Sequence, residues 1–204
     1  MAIADFFQIS VDELLSNEKS EKKQSDYIYE SRTEYDIDGK KNYDIKLGGA
    51  HAVDLKTYDG EKIVVALFSN IYKNLRADYK VKIDDIKNRI DVDLNRLNGA
   101  SETDAKESLI INIFIPVKYI RKIELSVNAG TLNITDIENE LIEIDGKIGE
   151  ITLQGNKSEI EIDSNLDMQI SVLSHEVRLR LISCQQHQDL HFLQIIDLEA
   201  QKRE

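Results

Sequence analysis

The chain has 204 residues, 41% of them hydrophobic, which is enough to bury the core of one medium-sized domain. Its net charge of -12 argues against non-specific attraction to nucleic acid or to an anionic membrane surface. One cysteine excludes an internal disulfide framework. With no signal-peptide pattern and no long apolar run, the sequence predicts a cytoplasmic protein without membrane association.

The first 26 residues have a helical pattern followed by a polar linker. Residues 1–16 place apolar side chains at helical spacing, and Ser10 and Glu13 have the arrangement of a capping box. Residues 17–26, "NEKSEKKQSD", contain no apolar side chain. We therefore predict one or two short helices and then a linker.

The rest of the chain is predicted to be β-structure over residues 27–198, with a polar tail at 199–204. Short runs rich in Ile, Val and Tyr alternate apolar and polar residues, which is typical of strands. The "DG" pairs at Asp38-Gly39 and Asp59-Gly60 predict hairpin turns. The segment 98–108, "NGASETDAKES", predicts a polar loop.

Two interleaved series of apolar–polar–apolar triplets recur in the second half of the chain. Such a repeat predicts a β-solenoid, in which equivalent residues of successive coils stack about 4.8 Å apart. The first series is Ile123-Glu124-Leu125, Ile142-Glu143-Ile144, Ile160-Glu161-Ile162, Val177-Arg178-Leu179 and Ile196-Asp197-Leu198, and the second is Leu132-Asn133-Ile134, Ile151-Thr152-Leu153, Ile170-Ser171-Val172 and Leu190-His191-Phe192.

Two stretches resemble known families. Residues 3–15, "IADFFQISVDELL", resemble the end of a Cro/repressor-type helix-turn-helix domain, without the recognition helix that reads DNA. The segment from about residue 45 to 198, with "IPVKYIRKIELSVNAGTLNITDI" at 115–137, resembles an adhesin-like domain found on surface proteins and on bacterial regulators. The second resemblance implies a mainly β fold, a right-handed β-solenoid of the β-helix or β-roll kind, after the short helical segment.

Together these resemblances imply a ligand-sensing or oligomerisation module of a bacterial transcriptional regulator, in effect a DNA-binding protein fragment. The DNA-reading helices are absent, so DNA would be bound only through a missing N-terminal domain, and the small-molecule or protein ligand is unknown. The alternative is an adhesin-like structural or surface interaction protein. P-loop, nucleophile-elbow and zincin motifs are absent, so we expect no enzyme activity, no catalytic residue and no cofactor.

An outward ladder of acidic residues is the first candidate site. It could bind cations or a basic partner, or it could simply be a solvated face. Arg178 and Arg180 are expected to end the acidic run by pairing with Glu161 and Asp163. The ladder comprises Glu124, Glu143, Glu161, Arg178 and Asp197, flanked by Ser126, Asp145, Asp163 and Arg180.

Two further groups have both a functional and a structural interpretation. Cys184, His187 and His191 have a C-x2-H-x3-H spacing that a zinc site could use, but the ladder places His191 on a strand, so we assign no metal site and favour a polar corner with a buried thiol. A group of tyrosines could form a binding platform or pack across strands. These are Tyr27, Tyr29, Tyr35 and Tyr43.

The ends of a solenoid need to be covered. Hairpins within residues 27–67 are the predicted cap at the N-terminal side. At the other side only "LEAQKRE", which starts at the last residue of the last triplet, is left, and this is too little to cover a coil. We therefore expect a homodimer through the C-terminal coil, Leu190 to Leu198, with Phe192 and Ile195 as contacts.

Overall fold

The computed structural model describes residues 29–164, 167–173, 176–182 and 192–193. In this part the chain is built mostly of β-strands, so the prediction of a mainly β protein is confirmed there. The predicted helices of residues 1–16, the linker, and the helix-turn-helix resemblance lie outside the described residues. None of the helices described is long and apolar enough to cross a membrane.

Thirteen strands and two short helices follow one another in the described part of the chain. The helices are α1 (Leu75–Asp78) and α2 (Glu102–Ser108), and Val117–Tyr119 forms a 3-10 turn. The strands are β1 (Tyr29–Asp36), β2 (Lys41–Tyr58), β3 (Lys62–Ser69), β4 (Tyr79–Ile86), β5 (Arg89–Arg96), β6 (Ile110–Pro116), β7 (Ile120–Thr135), β8 (Glu138–Gly146), β9 (Ile148–Gln154), β10 (Lys157–Ser164), β11 (Gln169–Leu173), β12 (Glu176–Ile182) and β13 (Phe192–Leu193).

The strands form two rows over one shared core. The first row runs β4, β5, the first half of β2, the first half of β7, β8, β10, β12 and β13. The second row runs β1, β3, β6, the second halves of β2 and β7, β9 and β11. From β5 and β6 to β12 and β11 the pairing is parallel, so each coil contributes one strand to each row. Antiparallel strands are added only at the ends.

The first series of inward triplets stacks in register through three coils, as predicted. Ile142 lies between Ile123 and Ile160, and Ile144 lies between Leu125 and Ile162. All six side chains are nearly inaccessible to solvent, at 2% exposure or less. These ladders make one continuous hydrophobic core, whose burial is the main stabilising contribution of the fold.

The fourth triplet of the first series pairs two residues away from the predicted register. Ile160 pairs with Leu179, not Val177, so Leu179-Arg180-Leu181 takes the place expected for Val177-Arg178-Leu179. Both candidate triplets alternate apolar and polar residues, so a shift of two residues leaves the inward side unchanged. Ile196-Asp197-Leu198 lies outside the described residues.

The second series is confirmed for three coils and wrong at the fourth. Ile151 lies between Leu132 and Ile170, in register on the second row. Phe192 does not extend this row, because β13 pairs antiparallel with β12 on the first row. An antiparallel neighbour needs no crossover connection, whereas a further parallel coil does. Leu190 and His191 are outside the described residues.

Strand β2 enters the stack out of sequence order. Its first half lies between β5 and β7, and its second half lies between β6 and β7. The two predicted "DG" hairpins are therefore wrong, since Asp38-Gly39 and Asp59-Gly60 join strands that do not pair with each other. Inward residues of β2 such as Ile45 and Leu55 are fully buried, and this burial outweighs a local turn preference.

The N-terminal side of the stack is covered differently from the prediction. Strands β3 and β1 extend the second row antiparallel to β6, and β4 extends the first row antiparallel to β5. Among the described residues of 27–67, those that act as a cap are thus in β1 and β3, whereas β2 is a central strand.

The predicted polar loop at 98–108 contains helix α2. The Ser101 side chain caps this helix by accepting a hydrogen bond from the Asp104 amide at 3.0 Å. Ala105 is fully buried and α2 packs against β2. Ala105 is the one apolar side chain of α2, and one such residue gives no helical period, so the pattern of the segment did not indicate a helix.

A buried amide side chain fixes the turn between β9 and β10. Asn156 is 2% exposed; its Nδ2 donates to the Ile134 carbonyl at 2.7 Å, and its Oδ1 accepts from the Ile137 amide at 3.0 Å. Both backbone groups belong to the preceding coil. One side chain thereby gives two backbone groups near the bend between coils a hydrogen-bond partner.

Candidate functional site

A line of outward carboxylates crosses the first row of strands. The predicted stack of Glu124, Glu143 and Glu161 is confirmed by the strand register. It continues upstream through residues that the sequence analysis did not connect, because β2 lies out of order in the stack. In register from one side of the row to the other, the positions are Asp84, Asp91, Asp44, Glu124, Glu143, Glu161 and Arg180.

A second outward line runs beside the first, two residues further along each parallel strand. It changes from mixed charge at the N-terminal side to carboxylates in the middle. Its positions, in the same order, are Lys82, Asp93, Lys46, Ser126, Asp145, Asp163 and Ile182.

Cations neutralise the upstream end of the first line. Arg89 Nε lies 2.6 Å from Asp91 Oδ1, and Lys46 Nζ lies 2.9 Å from Asp44 Oδ2. Each pair joins residues two apart on one strand, so the cation lies beside the carboxylate on the same outward side. These contacts leave little unbalanced negative charge on β5 and β2.

An arginine closes the downstream end, in a different register from the prediction. Arg180 lies opposite Glu161 and pairs with its carboxylate, and it also contacts Glu159 at 3.2 Å. Arg178 lies opposite Glu159, at 3.9 Å. The predicted pairs of Arg178 with Glu161 and of Arg180 with Asp163 are therefore wrong. The cause is the two-residue shift of β12.

Four carboxylates in the middle have no ion pair among the described residues: Glu124, Glu143, Asp145 and Asp163. Together with Glu161, Ser126 and Ile182 they line an open groove of about 480 Å³. We call this surface the acidic groove. At the spacing of neighbouring strands, two like charges repel by roughly 1 kcal/mol in water. The groove therefore favours any cationic group that enters it.

Of the two interpretations of the tyrosines, the binding platform does not form among the described residues. Tyr43 is 1% exposed and its hydroxyl donates to the Tyr119 carbonyl at 3.2 Å, and burial raises the pKa of this phenol well above its usual range. Tyr29 packs against the core, and Tyr35 is 37% exposed on β1. The structural interpretation, packing across strands, fits Tyr43 and Tyr29. Tyr27 is outside the described residues.

The candidate metal ligands Cys184, His187 and His191 lie outside the described residues. Among the residues that are described, no three His, Cys, Asp or Glu side chains converge closely enough to hold a metal ion. In particular, the carboxylates of the acidic groove are spread across neighbouring strands, whereas a bound cation requires ligands about 2.0–2.6 Å from one centre.

Searches against family models and against curated proteins find no match to this chain. Among solved structures, a candidate cell adhesion protein from Clostridium sporogenes aligns at a TM-score of 0.46 with 6% identity, covering 76% of this chain and 100% of that chain. Candidate adhesins from Parabacteroides merdae and Bacteroides fragilis align at TM-scores of 0.29 and 0.30 with 14% and 12% identity; each covers 76% of this chain, and 78% and 96% of the other chain respectively. Similarities this low assign neither a function nor a binding site.

Proposed function

We propose that this chain is a non-enzymatic interaction module in which stacked strands present the acidic groove to a basic partner. It corresponds to the alternative drawn from the sequence, an adhesin-like structural or surface interaction protein. The observation that carries the proposal is the run of unpaired carboxylates at Glu124, Glu143, Asp145 and Asp163, set between ion-paired carboxylates upstream and downstream.

The spacing of the groove favours a partner with several separate positive charges over a single metal ion. Successive rungs lie about 4.8 Å apart across the strands, and side chains on one outward side repeat about every 6.6 Å along each strand. An extended peptide presents alternate side chains at the latter spacing. Lysine or arginine side chains of such a peptide would each meet a different carboxylate, without the convergence that a metal centre requires.

A rigid backbone makes the groove a preformed surface. The glutamates stand on strands that are hydrogen-bonded on both sides, and their inward neighbours, such as Ile144, are in the core. Little conformational entropy is then lost when a partner binds, which raises affinity for a given set of contacts. Electrostatic attraction would also accelerate encounter at low ionic strength.

The test is binding of a fluorescently labelled oligolysine peptide, measured by anisotropy at low and physiological salt. Glu143→Gln combined with Asp145→Asn should weaken binding at least about tenfold at low salt, where surface charges are least screened. Glu30→Gln combined with Asp36→Asn, on the exposed strand β1, is the matched control with the same change in net charge. Equal losses in both double variants would mean that net charge, and not the groove, attracts the peptide.

A second candidate function rests on residues 3–15, whose pattern resembles the end of a helix-turn-helix domain. In that case the strands form the ligand-sensing or oligomerisation module of a cytoplasmic transcriptional regulator. The genomic frame upstream of residue 1 tests it: an open frame encoding the remaining helices of such a domain supports the regulator, and an export signal there supports the surface protein.

We further propose that the coils turn in the right-handed sense. The adhesin-like resemblance implies this hand, and parallel strands joined by crossover connections are right-handed in about 98% of cases. A crystal structure of the chain would determine the hand directly.

A further inference from the structure

The two rows end in outer strands, and these strands differ in how well they are protected against pairing. Strands β1 and β4 form the outer edges at the N-terminal side. Both are rich in charge, which discourages another strand from pairing there. Their charged residues are Glu30, Arg32, Glu34 and Asp36 in β1, and Lys80, Lys82, Asp84 and Asp85 in β4.

The downstream side has one protected edge and one unprotected edge. On the first row, β12 carries Arg178 and Arg180 and is covered over two residues by β13. On the second row, β11 has the sequence "QISVL" over Gln169–Leu173, with no charged residue and no proline. Among the described strands it pairs only with β9, and no described residue forms a ladder with its other edge.

The core is slightly more exposed beneath this edge than one coil earlier. Val172 and Leu179 are 9% and 7% exposed, whereas Leu153 and Ile160 of the preceding coil are fully buried. On the outward side of the same strand, Leu173 is 63% exposed, the highest value for a large apolar side chain among the described residues. An uncharged strand edge beside an incompletely covered core is the arrangement expected of an interface and not of a solvent-exposed end.

We propose that β11 pairs antiparallel with β11 of a second copy of this chain, giving a homodimer with a two-fold axis at Ser171. In this register Ile170 faces Val172 of the partner subunit on the inward side, and Gln169 faces Leu173 of the partner subunit on the outward side. The inward and outward alternation is thereby preserved across the axis, so the two second rows become one sheet and the two cores meet. Such a contact is self-complementary, as two-fold symmetry requires.

The chain's own C-terminal end is a poorer occupant of this edge. Strand β13 runs beside β12 on the first row, and residues 194–204 follow it. Five of those eleven residues, in "QIIDLEAQKRE", are charged. A second β11 offers an uncharged strand of matching length already held in extended form. The proposed contact is on β11. Of the contacts expected from the sequence, Phe192 lies in β13 on the first row, and Ile195 lies outside the described residues.

Disulfide trapping in the full chain tests the register directly. Residues opposed across an antiparallel pair have Cα atoms about 4.5–5.5 Å apart, which is within the range that a disulfide spans. In a Cys184→Ser background, Ser171→Cys should give a cross-linked dimer of twice 23.4 kDa on a non-reducing gel. Thr152→Cys, one strand inward on the same outward line, is the control and should stay monomeric on the gel.

A charge placed on the edge tests the energetics. Ser171→Lys brings two lysines together at the axis and should raise the dimer dissociation constant at least about tenfold in sedimentation equilibrium, whereas Thr152→Lys should leave it unchanged. A wild-type mass near 23.4 kDa at about 50 μM, where micromolar affinity gives mostly dimer, would overturn the proposal. Pairing through β11 would equally be refuted if the dimer dissociation constant were unchanged in Ser171→Lys and Ser171→Cys formed no cross-link.

Discussion

The carbonyl oxygen of Val127 occupies the space in which a side chain on Gly146 would begin. A Cβ added to Gly146 would lie 1.8 Å from that oxygen. Gly146 ends β8 and has a φ of +135°, a conformation that residues with a side chain rarely adopt. Two successive coils thus approach backbone to backbone at this bend, where the chain passes from the first row to the second.

Replacing this glycine should destabilise the protein strongly. We expect Gly146→Ala to lower the free energy of unfolding by about 2–4 kcal/mol, because the backbone must move both to admit Cβ and to leave a strained φ. Gly39→Ala is the control, since a Cβ there would meet no atom within 4 Å. Urea unfolding measures both variants, and a small effect at Gly146 would mean that the two coils are further apart at this bend.

The inward and outward sides of β8 can be distinguished by two adjacent substitutions. Ile144→Asp places a carboxylate between Leu125 and Ile162 in the core and should cost several kcal/mol, comparable with the whole stability of a domain. Glu143→Lys lies between Glu124 and Glu161, where it replaces two repulsions by two attractions, and should be neutral or mildly stabilising. Equal melting temperatures for the two variants would contradict the assignment of sides.

Asn156 should be needed for the bend between coils. Asn156→Ala leaves the Ile134 carbonyl and the Ile137 amide without their side-chain partner in a buried position, and we expect a loss of about 2–3 kcal/mol. Asn95→Ala, at an exposed position of β5, is the matched control and should change stability by less than about 0.5 kcal/mol. Thermal and urea unfolding give both values; similar effects would show that the buried hydrogen bonds of Asn156 contribute little.

The stability contributed by Lys41 should disappear at alkaline pH. Its side chain is 8% exposed, and its Nζ donates to Asp85 Oδ1 at 2.9 Å and to the Lys87 carbonyl at 2.7 Å. The hydrogen bond to Asp85, followed by the contact with Asp38, raises the pKa of Lys41 above its ordinary 10.5. A raised pKa means that the folded state holds the proton more tightly, so the contribution is complete below pH 10.5 and is lost as the pH rises through the higher folded value.

The check is the melting temperature of wild type and Lys41→Met as a function of pH. The variant should be less stable at pH 8, and the difference should shrink above about pH 10.5. Lys40→Met, an exposed neighbour, controls for the general titration of lysines. A difference between wild type and Lys41→Met that stays constant up to pH 12 would show that Lys41 acts through packing and not through its charge.

The sequence predicted the coils from β7 to β11 because each repeats an apolar alternation at nearly constant spacing. It did not predict the place of β2, whose neighbours β5, β6 and β7 follow much later in the chain and share no period with it. For the same reason Asp44 and Asp91 were not recognised as members of the acidic line. The register of β12 was wrong because Val177 and Leu179 satisfy the alternation equally well.

The position of β2 also determines the order in which the chain can fold during synthesis. Its last partner in β7 is Thr135, which lies opposite Lys56. Strand β2 therefore remains without its neighbouring strands until much of the chain has left the ribosome. Contacts of such sequence separation form slowly and leave the nascent chain prone to aggregation. Each coil after β7 pairs with a preceding coil whose strands have already been synthesised. Assembly can therefore follow synthesis step by step only from β8 onward, and the segment before it is where we expect dependence on chaperones.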